Sequence, residues 1–402
     1  MPEDLKTDQL ALHGGSPVRT VLLPYGRHEI DDDDVAAVSR VLRSDWLTGG
    51  PMVAEFEAAF ARLTGAGHAV AVSNGTAALH AAMFALGIGP GDEVIVPPMT
   101  FAASANAVVY QGGTPVFADV DPGTLLIDPA QAAAAITPRT RAIVAVDYAG
   151  QPCDYDALRS VIGDRPIAIV ADACHSVGGR DRGRPVGTLA DLSAFSLHPV
   201  KHVTTGEGGV VTTADATMAE RMRTFRNHGI TTDHRQRSEQ SSWIYEIVEL
   251  GYNYRLTDIQ CALGLSQLSK LPARIERRQA IAREYDRAFA ALAEVSPLVL
   301  RTDVSHAYHL YVVRIDIEAL ACDRATVFSA LRREGIGVNV HYIPVHLHPF
   351  YRQRFGCGPG LCPVAEAAYE QLITLPMFPG MHARDVHDVV EAVTKVVTAF
   401  RS

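Results

Sequence analysis

Between His68 and Thr213 the chain repeats one pattern: a short, almost continuously apolar run, then a turn, and in most intervals a helical stretch. The runs are His68–Val72, Glu93–Val96, Thr114–Ala118, Ala142–Asp147, Ile167–Ala171, Leu192–Ser196 and Val210–Thr213. Helical patterns lie between them at Thr76–Leu86, Ala102–Tyr110, Pro129–Ile136 and Tyr155–Ile162. Strands that are apolar at every position, rather than at alternate ones, need both faces covered. The expected class is therefore α/β, a mostly parallel sheet with helices on either side. Ligands of such sheets bind beyond the carboxyl ends of the strands, so the loops that follow strands are where chemistry is expected.

After Leu256 the pattern changes. Two helices are expected, at roughly Thr257–Leu268 and Ala273–Leu292, with Leu271-Pro272 as punctuation. A strand at His309–Ile315, a helix near Arg324–Glu334, a strand at Gly337–His341 and an amphipathic helix at Asp385–Phe400 follow. In the last helix Val389, Val390, Val393 and Val397 are spaced to bury one face. A large domain over 1–265 and a smaller C-terminal α/β domain over 266–402 are expected. The net charge of −9, with no lysine- or arginine-rich run, argues against nucleic acid as a partner. No apolar run approaches membrane-spanning length, and the polar start Met1–Asp8 does not read as a secretory signal. Six scattered cysteines read as reduced thiols; Cys357 and Cys362 have no second pair to complete a zinc site, so no metal is expected. A cytoplasmic location follows as the expectation.

The stretch Phe195–Gly209 places Lys201 between an apolar strand and a glycine-rich turn. A primary amine there can bond an aldehyde cofactor such as pyridoxal phosphate, although it also reads as a surface lysine in a turn. Ser73–His80 lies where a strand gives way to a helix. Gly75, Thr76 and the helix N-terminus can seat an anion, or Thr76 simply caps its own helix. In Val170–Ser176, Asp172 can hold a pyridine nitrogen protonated and His175 can reach the phenolic oxygen of the same ring. The alternatives are an N-cap and a buried histidine satisfied by backbone. Phe101 can stack on a flat ring or pack in the core, and Ser196 can bind phosphate or be a plain strand-end hydroxyl. Four strand-end loops thus each offer one group that a pyridoxal phosphate site needs.

With these residues the chain resembles the sugar aminotransferases of the DegT/DnrJ/EryC1/StrS family, a branch of the aspartate-aminotransferase-like fold, from Leu23 to the final helix. The likeness rests on Ser44–Pro51, on His198–Gly209 around the lysine, and on Val340–Phe350. It is strongest to the transaminases of pseudaminic acid biosynthesis, which act on the 4-keto group of a UDP-linked 2-acetamido-2,6-dideoxy-L-hexose. The resemblance implies that Lys201 bonds the cofactor, Asp172 pairs with its ring nitrogen and His175 lies near its hydroxyl. Gly75, Thr76 and Ser196 would hold the phosphate and Phe101 would cover the ring. It also implies a homodimer in which the partner subunit completes the site through a loop matching Leu250–Asp258. Asn253 is the candidate there for phosphate and Arg255 for an anionic group, unless Arg255 pairs with Asp258. Substrate contacts are carried to Tyr25, Asp45, Trp46, Leu47, Thr48, His341, Tyr342, Ile343 and Pro344. Trp46 and Tyr342 also read as packing at the subunit boundary, and His346 as a solvated loop residue.

The implied reaction is a ping-pong transfer of the amino group of L-glutamate to the ketone of a nucleotide-linked sugar. Cys174 and Ser176 stand where many relatives have small apolar residues, and the leader Leu12–Arg19 is similar to members that aminate antibiotic cyclitols. Another 4-keto or 3-keto nucleotide sugar or a keto-cyclitol is therefore the alternative substrate. A sugar dehydratase of the same fold is the alternative reaction, and Lys201 weighs against it.

Overall fold

The computed structural model describes residues 9–232 and 241–402. The segment Met1–Asp8, read above for a secretory signal, lies outside the described residues. Seven strands form one sheet, in the spatial order His68–Val72, Gly209–Thr213, Leu192–Ser196, Ala168–Asp172, Thr140–Val146, Glu93–Val96 and Thr114–Phe117. Four neighbouring pairs are parallel, and Gly209–Thr213 runs antiparallel to both of its neighbours. The strands are buried at nearly every position, as their continuous apolar character requires, and the helices Gly75–Ala85, Ala103–Tyr110, Pro129–Ala134 and Tyr155–Ile162 lie near the expected bounds. Asp172 is the last residue of its strand, so its side chain leaves the sheet at the carboxyl edge.

The expectation of two helices broken at Pro272 is overturned: one helix runs from Asp258 to Phe289 with Pro272 inside it. A proline costs a helix interior on the order of 3 kcal/mol, through a lost N–H and a clash with the preceding turn. Packing on both sides of the proline outweighs that. Leu268, Leu271 and Ile275 join the core under the large sheet, while Ile281, Ala282, Tyr285 and Phe289 join a second core. A capping box fixes the start, with Thr257 Oγ1 accepting from Gln260 N at 3.2 Å and Gln260 Oε1 accepting from Thr257 N at 3.2 Å.

The second core is built on the antiparallel strands Val295–Pro297, Tyr311–Ile315 and Leu372–Leu375, together with the helices Arg324–Arg333 and Ala383–Phe400. Val389, Val393 and Val397 are buried in it, and Val390 packs at its edge. The expected strand Gly337–His341 is not one. The segment makes isolated bridges, Ile336 with Leu23 and Asn339 with Thr374 of the strand Leu372–Leu375, rather than a continuous ladder. The leader is tied to this second unit, with Ala11 N and Val18 N both donating to the Glu334 carboxylate. Among the described residues no helix is long and apolar enough to cross a membrane.

Candidate active site

Lys201 sits in a loop that closes on itself. Leu197 N donates to Gly208 O at 2.8 Å, Thr205 N to Leu197 O at 3.0 Å, and Lys201 N to His198 O at 2.9 Å. The half-buried ammonium lies 3.2 Å from His309 Nε2. Burial pushes the Lys201 pKa down, since a charged amine loses its water there, while nearby Asp172 pulls it partly back up. An amine so tuned is more readily free near neutral pH, as nucleophilic chemistry requires.

Asp172 is buried, and Ser104 Oγ donates to its Oδ2 at 2.6 Å. His175 follows on the same loop. Its Nε2 lies 3.2 Å from the Tyr342 hydroxyl, and its Nδ1 is buried with no hydrogen-bond partner among the described residues. Burial holds the His175 pKa well below its usual value, so the ring is neutral. Beneath the loop, Asp147 accepts from Ser176 Oγ at 2.6 Å, Tyr155 Oη at 2.7 Å and Cys153 N at 2.9 Å. Burial pushes the Asp147 carboxyl up to about 7 against the pull of those bonds. Ser176 therefore anchors the loop that carries Asp172 and His175.

The anion seat has the expected form with a different cap. Asn74, not Thr76, caps the Gly75–Ala85 helix, its side chain accepting from Ala77 N at 2.8 Å. The first N–H groups, those of Gly75 and Thr76, have no partner within a helix and point out of its start. A Cβ on Gly75 would stand 2.9 Å from Ser196 Cβ and 3.4 Å from Cys174 Sγ. Glycine is what lets these three loops converge.

A cavity of about 1020 Å³ opens between these loops and the second unit, lined among others by Gly75, Thr76, Phe101, Asp172, His175, Ser196 and Lys201. Tyr25, His341 and Tyr342 line its far side. Val345 N donates to Pro98 O at 2.9 Å, and the Tyr148 hydroxyl bonds His341 O, so the segment after Val340 is pinned against the strand-end loops. Phe101 is 62% exposed and tilted toward Tyr342 with ring centroids 6.1 Å apart, which removes the core-packing alternative. The basic, acidic and anion-seating groups of this cavity fit pyridoxal phosphate, and the orphaned His175 Nδ1 marks a polar atom left without a structural bond.

Other expected residues lie elsewhere on the single chain. Asp45, Leu47 and Thr48 are exposed, and Trp46 faces a separate cleft beside Met52 and Leu265. Ile343 is exposed and Pro344 buried, neither lining the cavity. Asn253 is exposed; Arg255 donates to Asn227 Oδ1 at 2.8 Å beside Arg223 and Arg226. The alternative pairing of Arg255 with Asp258 is not formed, because the Asp258 carboxylate accepts from Gly50 N at 2.8 Å and Met52 N at 3.0 Å. His346 is buried against Glu366 at 2.8 Å rather than solvated. His309 and Ser104 were missed. His309 opens an apolar strand-like run, and only its distant placement beside Lys201 reveals it; Ser104, three residues past Phe101, carries no signal of its own. All six cysteines are unpaired. Among the described residues, His387, Asp388 and Glu391 form the one group with metal-ligand spacing, and Asp388 already pairs with Arg19 and Arg384.

Residues 28–394 match the DegT/DnrJ/EryC1/StrS aminotransferase family. The spore coat polysaccharide biosynthesis protein SpsC of Bacillus subtilis is 42% identical over 94% of this chain and 98% of its own. Spr1654 of Streptococcus pneumoniae, assigned as a sugar aminotransferase, has been solved in a form with PMP, the aminated cofactor. It superposes with a TM-score of 0.88 at 34% identity, over 94% of this chain and 99% of its own. PseC of Helicobacter pylori, an aminotransferase of pseudaminic acid biosynthesis, superposes with a TM-score of 0.88 at 31% identity, over 94% and 100%. The fold thus has its counterpart in solved aminotransferases, and the chain belongs to the DegT/DnrJ/EryC1/StrS aminotransferase family.

Proposed function

We propose that this protein is a pyridoxal-phosphate-dependent aminotransferase that moves the amino group of L-glutamate to the 4-keto group of a nucleotide-linked deoxy sugar. The substrate best supported is UDP-2-acetamido-2,6-dideoxy-β-L-arabino-hex-4-ulose. The observation that carries the reading is the convergence of Lys201, Asp172 and His175 with the Gly75–Thr76–Ser196 seat in one cavity large enough for a cofactor and a sugar. When bound, the cofactor supplies the carbonyl that exchanges amino groups and a ring that delocalises negative charge.

The chain's own residues supply the rest. Lys201 would hold the cofactor through Nζ and, when its amine is free, would hold and move a proton at Nζ. Asp172 would hold the ring nitrogen protonated, and His175 would sit by the ring hydroxyl. The first N–H groups of the Gly75–Ala85 helix and Ser196 Oγ would take the phosphate. Tyr25, His341 and Tyr342 form the wall facing the sugar. We further propose a homodimer in which Asn253 and Arg255 complete the partner's site. An exposed apolar strip supports it, with Trp243 84% and Leu250 80% accessible in the single chain. Asp45–Thr48 would reach the nucleotide across the same boundary. A cytoplasmic, reducing setting suits six unpaired cysteines.

A second substrate reading, another keto sugar destined for a polysaccharide, is favoured by the 42% identity to SpsC. A panel of UDP- and dTDP-linked 4-keto and 3-keto sugars plus a keto-cyclitol, scored for 2-oxoglutarate release from glutamate, decides between them. Highest kcat/KM on the UDP-linked N-acetyl sugar is the expected result, and a clear winner elsewhere overturns the substrate assignment.

A further inference from the structure

We propose that His309 is a positioning residue for Lys201: its imidazole holds the lysine amine whenever that amine is not bonded to cofactor. The inference rests on the aminotransferase reading above and adds a residue to it. Nε2 of His309 lies 3.2 Å from Lys201 Nζ. Nδ1 is buried with no partner among the described residues, so the ring's hydrogen bond to Lys201 is the one it makes there.

The backbone around His309 is clamped. Ala307 N donates to Gly150 O at 2.9 Å and Leu310 N to Ala149 O at 3.1 Å. Arg278, itself buried, donates to His309 O at 3.2 Å. A Cβ on Gly150 would stand 2.7 Å from His175 O and 3.0 Å from His309 N, so the His175 loop and the His309 segment meet with no slack. An imidazole fixed in this way can accept from an ammonium or, in its other tautomer, donate to a neutral amine, and stays uncharged in both cases. The groups facing the pair are Asp172, Cys174, His175, His202, Arg278 and His341. Burial, together with the nearby Lys201 and Arg278 cations, keeps His309 neutral, so it orients the proton held on Lys201 without competing for it.

The test uses His309→Asn, too short to reach Nζ, His309→Leu, which offers no acceptor, and His309→Gln, whose amide can span the gap. In apoenzyme, the pH dependence of Lys201 acetylation by trace acetic anhydride, read by peptide mass spectrometry, gives the lysine pKa directly. Losing a charge-assisted bond to the ammonium should lower it by about one unit, a tenfold shift, in the Asn and Leu variants, and Gln should recover most of it. In cofactor-loaded enzyme the same two variants should lose roughly tenfold in kcat with KM for glutamate nearly unchanged. A wild-type Lys201 pKa in either contact-removing variant overturns the proposal, as does a folded Gln variant as impaired as they are. Failure of the underlying reading looks different: borohydride would then fix no cofactor on Lys201 of the wild-type protein, whatever the apoenzyme titration gives.

Discussion

Adding one methyl group at Gly209 tests the anion seat from beneath. Gly209 opens the strand Gly209–Thr213 and is paired with Val72 on one side and Ser196 on the other. A Cβ there would lie 2.3 Å from Asn74 O, 2.5 Å from Asn74 C and 3.0 Å from Gly75 N. Contacts under 3.0 Å do not occur, so Asn74 must retreat by at least about 0.7 Å. The strand cannot give way instead, because a ladder holds it on both edges. What moves is the Asn74–Gly75 turn, which aims the first N–H groups of the helix. Overpacking of this kind costs about 1–3 kcal/mol of stability. Misdirecting one hydrogen bond to a charged phosphate costs about 1.5–3 kcal/mol, or roughly ten- to a hundredfold in affinity. For Gly209→Ala we therefore expect a modest loss in urea denaturation and a loss of at least about tenfold in pyridoxal phosphate affinity, measured by absorbance titration of the apoenzyme. A destabilised variant that binds cofactor as the wild type does would falsify the placement of the phosphate at this helix start.

The shared-site proposal predicts complementation. Lys201→Ala and Arg255→Ala proteins, each inactive alone, should regain roughly a quarter of wild-type activity when unfolded together and reassembled, because half the dimers are mixed and each carries one intact site. No regain with dimers present, as seen by light scattering, would remove Arg255 from the partner's site. A third expectation concerns acid. Burial lowers the His80 pKa from 6.5 to about 4, so the folded state resists the proton that the unfolded chain accepts. The stability from this histidine is fully present above pH 6.5 and is lost as pH falls toward 4, by at most about 3 kcal/mol. His80→Gln keeps a polar group near Gln111 and Tyr254 and should flatten that part of the profile; unfolding curves that run parallel to wild type between those pH values would show His80 to be protonated in the fold.

The large sheet was legible because each strand carries its own evidence: Ile143, Val144 and Ala145 are apolar in a row and fully buried in the fold. The same held for the strand-end groups, since Asp172 and Lys201 owe their place to short local motifs and to the direction in which their strands run. The long helix was not legible. Pro272 is a local signal for a break, and what overrides it, the burial of Leu271 on one core and Ile281 on another, is decided by residues far away in the chain. His309 escaped for the same reason. Its sequence neighbours are those of a strand, and its role comes from Gly150 and Arg278, which bring it within 3.2 Å of a lysine 108 positions earlier. Asn253, Arg255 and Asp45–Thr48 mark a different boundary. Their sequence motif points to the cavity while the single chain holds them away from it, and an exposed apolar strip ending at Leu250 lies next to Asn253. A motif that serves the cavity, carried on a surface that needs covering, is what a site completed by a second copy requires. The complementation experiment separates that arrangement from a merely structural Arg255 held by Asn227.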